Sequence, residues 1–164
     1  MKVTGKLQVT LPSDREIAMV REFDAPLPLL WEAHTKPELL KQWLGVVNGM
    51  VLETCEVDLR PGGAYRYVWK HPGGFSMGMG GTYQEIVPQQ KIVATEKFDE
   101  SWYEGEALDT ITFAEHGGKT TVTTNVRYAS RDVRDAVLKT PMDEGMAAGF
   151  DVLEALLPKL SARR

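Results

Sequence analysis

Thr140-Pro-Met-Asp-Glu-Gly-Met-Ala-Ala-Gly-Phe-Asp-Val-Leu-Glu-Ala-Leu-Leu157 is the stretch that decides the fold. It reads as one amphipathic helix behind an almost unbroken run of strand-like sequence, so it either fills the concave side of a curved sheet or roofs a cavity. Thr140 is placed to cap it, Pro141 suits its first turn, and Asp143 and Glu144 face the positive end of the dipole. Met142, Met146, Phe150, Leu153 and Leu157 recur at helical spacing as a single apolar stripe. Met and the small residues Gly145, Ala148 and Gly149 occupy the first half, and Leu dominates the second. Unfilled space is therefore expected under the first half, bordered by Met142, Met146, Gly149 and Phe150, with Leu153 and Leu157 as solid core. Pro158 is expected to end or kink the helix.

Working outward, the helical period is absent between Gly45 and Arg127. Residues 52–59, 64–70, 76–87, 91–98, 108–115 and 119–127 read as six successive strands. Arg60-Pro-Gly-Gly63, His71-Pro-Gly-Gly74, Pro88-Gln-Gln90 and His116-Gly-Gly118 supply the Gly and Pro that short turns require. Upstream, residues 6–11 alternate as a strand, Pro12-Ser-Asp14 interrupts them, and residues 16–23 resume an extended pattern. Asp24-Ala25-Pro26 opens a short helix, with Asp24 or Ala25 as cap. Thr35-Lys-Pro-Glu38 has the spacing of a capping box for a second, which carries Leu39, Leu40, Trp43 and Leu44. Residues 130–140 have room for one more. The order strand, two helices, six strands and long helix predicts an α+β fold, a curved antiparallel sheet wrapped around the C-terminal helix. Gly78, Gly80 and Gly81 within one strand allow sharp bending.

The 164 residues, 43% of them hydrophobic, suit a single domain over 1–164 with a sizeable core. A formal net charge of −4 and the absence of a Lys/Arg-rich run argue against nucleic acid or an anionic membrane as partner; Arg163 and Arg164 read as a tail. Cys55 is alone, which excludes an intramolecular disulfide and suits a reducing compartment. With neither a secretory leader nor a bilayer-spanning run in the sequence, the expectation is a soluble, cytoplasmic protein without membrane insertion.

The same order of elements carries a set of motifs: Leu11-Pro-Ser-Asp-Arg-Glu-Ile17, Arg21-Glu-Phe-Asp-Ala-Pro26, Trp31-Glu-Ala33, Thr35-Lys-Pro-Glu-Leu-Leu40, Trp43-Leu-Gly45, Asp58-Leu-Arg-Pro-Gly-Gly63 and Gly81-Thr-Tyr83. Together with the C-terminal helix they resemble the START-like or SRPBCC superfamily of helix-grip proteins, and within it the branch related to the activator of the 90-kilodalton heat-shock-protein ATPase. The resemblance implies a sheet gripping the last helix and a hydrophobic cavity between them; it implies no reaction, because one fold carries many functions. Eukaryotic activators have an additional chaperone-binding domain for which this chain has no room, which makes a chaperone partner doubtful. Leu44, where relatives often have a second aromatic, suggests a different cavity wall.

Tyr65, Tyr67 and Trp69 alternate to one face of their strand, and Met77, Met79, Gly81 and Tyr83 do the same in the next. Each alone reads as core; together, aromatics with polar tips and adaptable methionines suit an apolar pocket. Ile92, Ala94, Glu96 and Phe98 share one face of the following strand. If that face is concave, Glu96 is a buried acid with a raised pKa, available as general acid or ligand anchor; in the opposite register it is a surface charge. The sequence pairs no second carboxylate with it. His34 either looks into the cavity mouth or completes its helix's last turn. The three histidines and Cys55 lack metal-site spacing, and neither a phosphate loop nor a nucleophile elbow is present, so no cofactor or metal is expected. Trp102 and Tyr103, in the acidic connection 99–107, either cap the entrance or bury against the sheet rim.

These readings favour a binder of a small apolar or amphipathic molecule, with His34, Trp43, Tyr67, Trp69, Met79, Tyr83, Glu96, Phe98, Met142, Met146, Gly149 and Phe150 around the cavity. A cyclase-, dehydratase- or hydrolase-like enzyme using the same cavity is one alternative; its mark is a polar group of strongly shifted pKa opposite a second donor. A chaperone-associated or other interaction module is another, and a homodimer is compatible with the sequence though no coiled-coil motif supports it.

Overall fold

Nine antiparallel strands form one curved sheet in the computed structural model, which describes residues 1–162; the Arg163–Arg164 tail lies outside the described residues. The strands are β1 (Lys2–Thr4), β2 (Leu7–Thr10), β3 (Glu16–Phe23), β4 (Val51–Val57), β5 (Ala64–Lys70), β6 (Ser76–Val87), β7 (Lys91–Phe98), β8 (Ala107–His116) and β9 (Lys119–Arg127). Their order across the sheet is β1-β2-β3-β9-β8-β7-β6-β5-β4. The helices are α1 (Leu27–Thr35), α2 (Pro37–Trp43), α3 (Arg131–Leu138) and α4 (Met142–Ala162). This is the expected α+β helix-grip architecture, with α3 in the segment left for a short helix.

Several boundaries differ from the sequence reading for local reasons. Instead of one strand at 6–11 there is a hairpin, β1 and β2, turned at Gly5 with φ +60°. The cap of α1 is Pro26, not Asp24 or Ala25. The capping box at Thr35 does not form: its hydroxyl turns back and donates to the Trp31 carbonyl at 2.8 Å, closing α1, and α2 starts after Lys36 with Pro37 in its first turn. Thr140 likewise donates back to Val137 at 2.7 Å and does not cap α4. Pro158 does not end α4, which continues to Ala162. Its ring removes a single backbone donor on an exposed position, while Leu157 and Leu160 on either side are buried and hold the last turns on the sheet.

The buried side of α4 is rotated slightly from the expected stripe. Ala147, Phe150, Leu153, Leu157 and Leu160 form the seam, with Leu153 and Leu157 solid core as expected, whereas Met142 and Met146 are half-buried beside it. Gly149 lies beside the end of α2, where a Cβ would make ordinary contact with the Trp43 carbonyl oxygen at 3.6 Å. Arg21 of β3, 1% exposed, fastens the sheet to α4 through Asp151 at 2.8 Å and the Ala147 carbonyl at 3.3 Å. Asp143 accepts from Thr4 at 2.6 Å and pairs with Lys2 at 2.9 Å, fixing the helix start over the β1 edge.

Candidate functional site

Register across the sheet brings the chemistry together. One row of the core face runs Tyr83, Ala94, Asp109, Val126, Ile17 from β6 to β3. The next row places Glu96 opposite Ala107, with Tyr65 opposite Gly81 two strands away and Tyr128 one residue beyond the Leu108–Arg127 pair. Glu96 therefore faces the core, and a second carboxyl, Asp109, lies diagonally beside it on β8. Of the two registers the sequence left open, the structure has the one that turns Glu96 to the core face, where it is half-buried; the second acid was not recognised from sequence, although Asp109, Ile111 and Phe113 alternate on one face of their strand.

Small residues flank this pair. Gly81 and Ala107 flank Glu96 on the neighbouring strands, and a Cβ at Gly81 would collide with the Thr95 carbonyl, so no side chain fits there. The Tyr65 ring crosses over instead, and its hydroxyl donates to that same Thr95 carbonyl at 2.6 Å. Tyr103, from the connection between β7 and β8, meets Tyr128 edge-on at 5.9 Å. Of the two aromatics in that connection, Tyr103 is half-buried and Trp102 exposed. Tyr65 contacts Tyr67 at 5.1 Å and Tyr83 at 5.4 Å, and Tyr67 continues to Trp69 at 5.8 Å.

The electrostatics are those of two acids in a place without a base. Burial pushes Glu96 up to about 7, partly offset by a hydrogen bond with Asp109. Asp109 is raised well above the carboxylate range, by burial first and then by the neighbouring Glu96 charge and their hydrogen bond. The proton thus resides on Asp109 and is donated to Glu96, because two charges at this distance cannot both be ionised cheaply. Among the described residues no amide, hydroxyl or cation donates to either carboxyl, and Asp109 Oδ1 is buried without such a donor. Burial raises the hydroxyl pKa of Tyr65, Tyr103 and Tyr128 first, and the charges of Glu96 and Asp109 raise it further, so all three stay protonated donors. Tyr67, also raised by burial, bonds to Tyr83.

A second cluster surrounds the far end of α1. His34 packs edge-on against Trp43 at 4.9 Å and Phe113 at 5.2 Å, and Trp43 stacks on Phe150 at 5.7 Å. His34 Nδ1 donates to the Leu30 carbonyl at 2.7 Å, closing the last turn of α1 as one sequence reading had it. Burial lowers its pKa to about 4, so the ring is neutral, and Nε2 is a buried acceptor without a partner. The indole N–H groups of Trp43 and Trp69 are satisfied by the carbonyls of Ala33 and Leu44, each at 2.9 Å. Gly45, at φ +67°, is required by the second contact, since its Cβ would strike the Trp69 indole.

Met79 is buried opposite Tyr67, and Phe98, opposite Met79, is half-buried. An open recess of about 450 Å³ crosses β5 to β7 at Tyr65, Arg66, Gly80, Gly81, Lys97, Phe98 and Asp99, with the Arg66–Asp99 ion pair at its polar side. It shares Tyr65 and Phe98 with the core-facing rows but is open to solvent, and the paired acids are not part of its wall. Among the described residues no group of three or more His, Cys, Asp or Glu side chains could hold a metal ion, and no helix is long and apolar enough to cross a membrane.

A curved antiparallel sheet gripping a long C-terminal helix defines the chain as a helix-grip protein. The family described as activator of Hsp90 ATPase homolog 1-like protein matches residues 24–158, and the chain belongs to it. A Rhodobacter sphaeroides protein of known crystal structure is similar at 30% identity, with TM-score 0.89 over 94% of this chain and 99% of that one. A Chromobacterium violaceum protein follows the fold at 28% identity and TM-score 0.75, over 88% and 98% of the two chains. A Nitrosomonas europaea protein does so at 25% identity and TM-score 0.81, over 93% and 99%. No curated protein matches the sequence.

Proposed function

We propose that the protein binds a small amphipathic molecule between α4 and the concave face of the sheet, with the Glu96–Asp109 pair taking its polar end. The observation that carries this reading is that Glu96, Asp109, Tyr67 and His34 lie deep among protein atoms, yet each keeps surface that water can reach. Reachable polar groups on the face that the helix covers are what a ligand site between sheet and helix requires. Met142 and Met146, half-buried beside the seam, offer adaptable contacts at its border. The chain's family and fold are compatible with such a ligand.

Native mass spectrometry of the protein purified from its own cell extract, followed by thermal unfolding with the recovered compound, tests the proposal. A retained small molecule that raises the melting temperature supports it; an interior that takes up neither a cellular molecule nor any apolar probe rejects it.

The shared-proton pair favours a second reading, a proton-transfer enzyme. Asp109 and Glu96 supply an acid and a base of separated pKa, and the Tyr103 and Tyr128 hydroxyls are the donors beside them. Recovery of the ligand chemically altered after incubation with wild-type protein, and unaltered with Glu96→Gln, distinguishes catalysis from binding.

A further inference from the structure

We propose that the polar end of the ligand is a cation, an ammonium group held between the Glu96–Asp109 pair and the rings of Tyr65, Tyr103 and Tyr128. The inference rests on the binding reading above and specifies its chemistry.

Three features converge. First, the two acids share one buried place, and no Lys or Arg side chain acts on either of them. A desolvated anionic pair without a counter-charge is costly, and the group that offsets the cost must come from outside the protein. Second, Asp109 Oδ1 is unpartnered and Glu96 has no donor besides the Asp109 proton among the described residues, so a ligand N–H or a compact cation completes an unfinished set of contacts. Third, tyrosines from three separate elements come within reach of the acids, which act on their hydroxyls: Tyr65 on β5, Tyr103 between β7 and β8, and Tyr128 after β9, the last two in ring contact. Ring faces attract cations, and several rings around one acid site are the arrangement that recognises ammonium groups. Opposite Glu96 the neighbouring strands carry only Gly81 and Ala107, and the Tyr65 ring crosses over Gly81 to reach the Thr95 carbonyl.

The apolar remainder of the ligand has a direction to follow. Along β8, Asp109 is succeeded on the same face by Ile111 and then Phe113, which packs against His34 and Trp31. The four residue steps from Asp109 to Phe113 cover ~13 Å of strand. The helix start lies over the row that passes through Lys2, Val9, Met19, Thr124 and Ile111, so the acids stand just beyond the first turn of α4 and the aromatic cluster beneath its middle. A cationic head on a short apolar chain matches that gradient.

The test compares three probes of one chain length, octyltrimethylammonium, 1-octanol and octanoate, by isothermal titration calorimetry on the full chain. The fixed cation is expected to bind at least about tenfold more tightly than octanol, and octanoate more weakly than both. The Glu96→Gln/Asp109→Asn variant is expected to lose the cation's advantage over octanol. Because that variant removes buried charge without changing shape, a folded protein is expected, and its unfolding curve verifies it. A second measurement needs no variant: cation binding to wild type should release protons, so the observed enthalpy changes with the ionisation enthalpy of the buffer near pH 7, while octanol binding shows no such dependence. Equal or tighter binding of octanol overturns the cation proposal and leaves the binding reading standing. A cation preference that survives in the double variant, or one without proton release, also overturns it by placing the cation elsewhere. Failure of all three probes to bind rejects both.

Discussion

Replacing Glu96 by Gln should make the protein more stable in alkali and leave it nearly unchanged in acid, and the size follows from the surroundings of the carboxyl. Burial pushes Glu96 from an ordinary 4.5 up to about 7. An acid whose folded-state pKa is raised binds its proton more tightly in the folded chain, so its contribution is complete below the unfolded value and is lost as pH rises through about 7. At ~1.4 kcal/mol per pH unit the loss approaches roughly 3 kcal/mol by about pH 8. His34 acts in the opposite sense. Burial lowers its pKa to about 4, so its contribution is present above the unfolded histidine range and is lost as pH falls towards about 4. Subtracting wild type from variant at each pH cancels the His34 part. Gln retains the shape of Glu and an oxygen that accepts the Asp109 proton. Urea unfolding followed by tryptophan fluorescence, with constant m-values, gives the difference directly. The variant is expected to match wild type near about pH 4 and to exceed it by roughly 1–3 kcal/mol near about pH 8. A difference that stays flat with pH, or a variant less stable than wild type at the alkaline end, refutes the assignment of Glu96 to a buried, proton-sharing pair.

Three further substitutions check the packing. Leu153→Ala, at a fully buried position in the α4 seam, should cost roughly 2–5 kcal/mol in the same unfolding assay, and Met146→Ala distinctly less, because Met146 is only half-buried. Gly81→Ala should cost roughly 1–3 kcal/mol, since the added methyl collides with the Thr95 carbonyl under the Tyr65 ring; a neutral result would mean that β6 and β7 separate freely beside Glu96.

The sequence alone determined the architecture, because its evidence is periodic and local. The alternation of 64–70 and 91–98, the Gly-Pro turns between strands and the apolar stripe of 140–157 each fix an element without reference to the rest, and their order leaves few topologies. Helix ends were less legible. Thr35 and Thr140 are good caps by composition, but each hydroxyl turned back to a carbonyl of the preceding helix, a choice made by how the next segment leaves.

What only the tertiary structure decided is the partnership of residues far apart in the chain. Glu96 and Asp109 become neighbours through the register of β7 against β8, and a slip of one residue would send either to the other face. Tyr65, Tyr103 and Tyr128 reach the same acids from three elements, and Gly81 allows it by lacking a side chain. Alternation states which side of a strand a residue occupies. Which acid shares a proton with which, and that no base answers them, depends on distances and burial that exist only after the sheet has closed around α4.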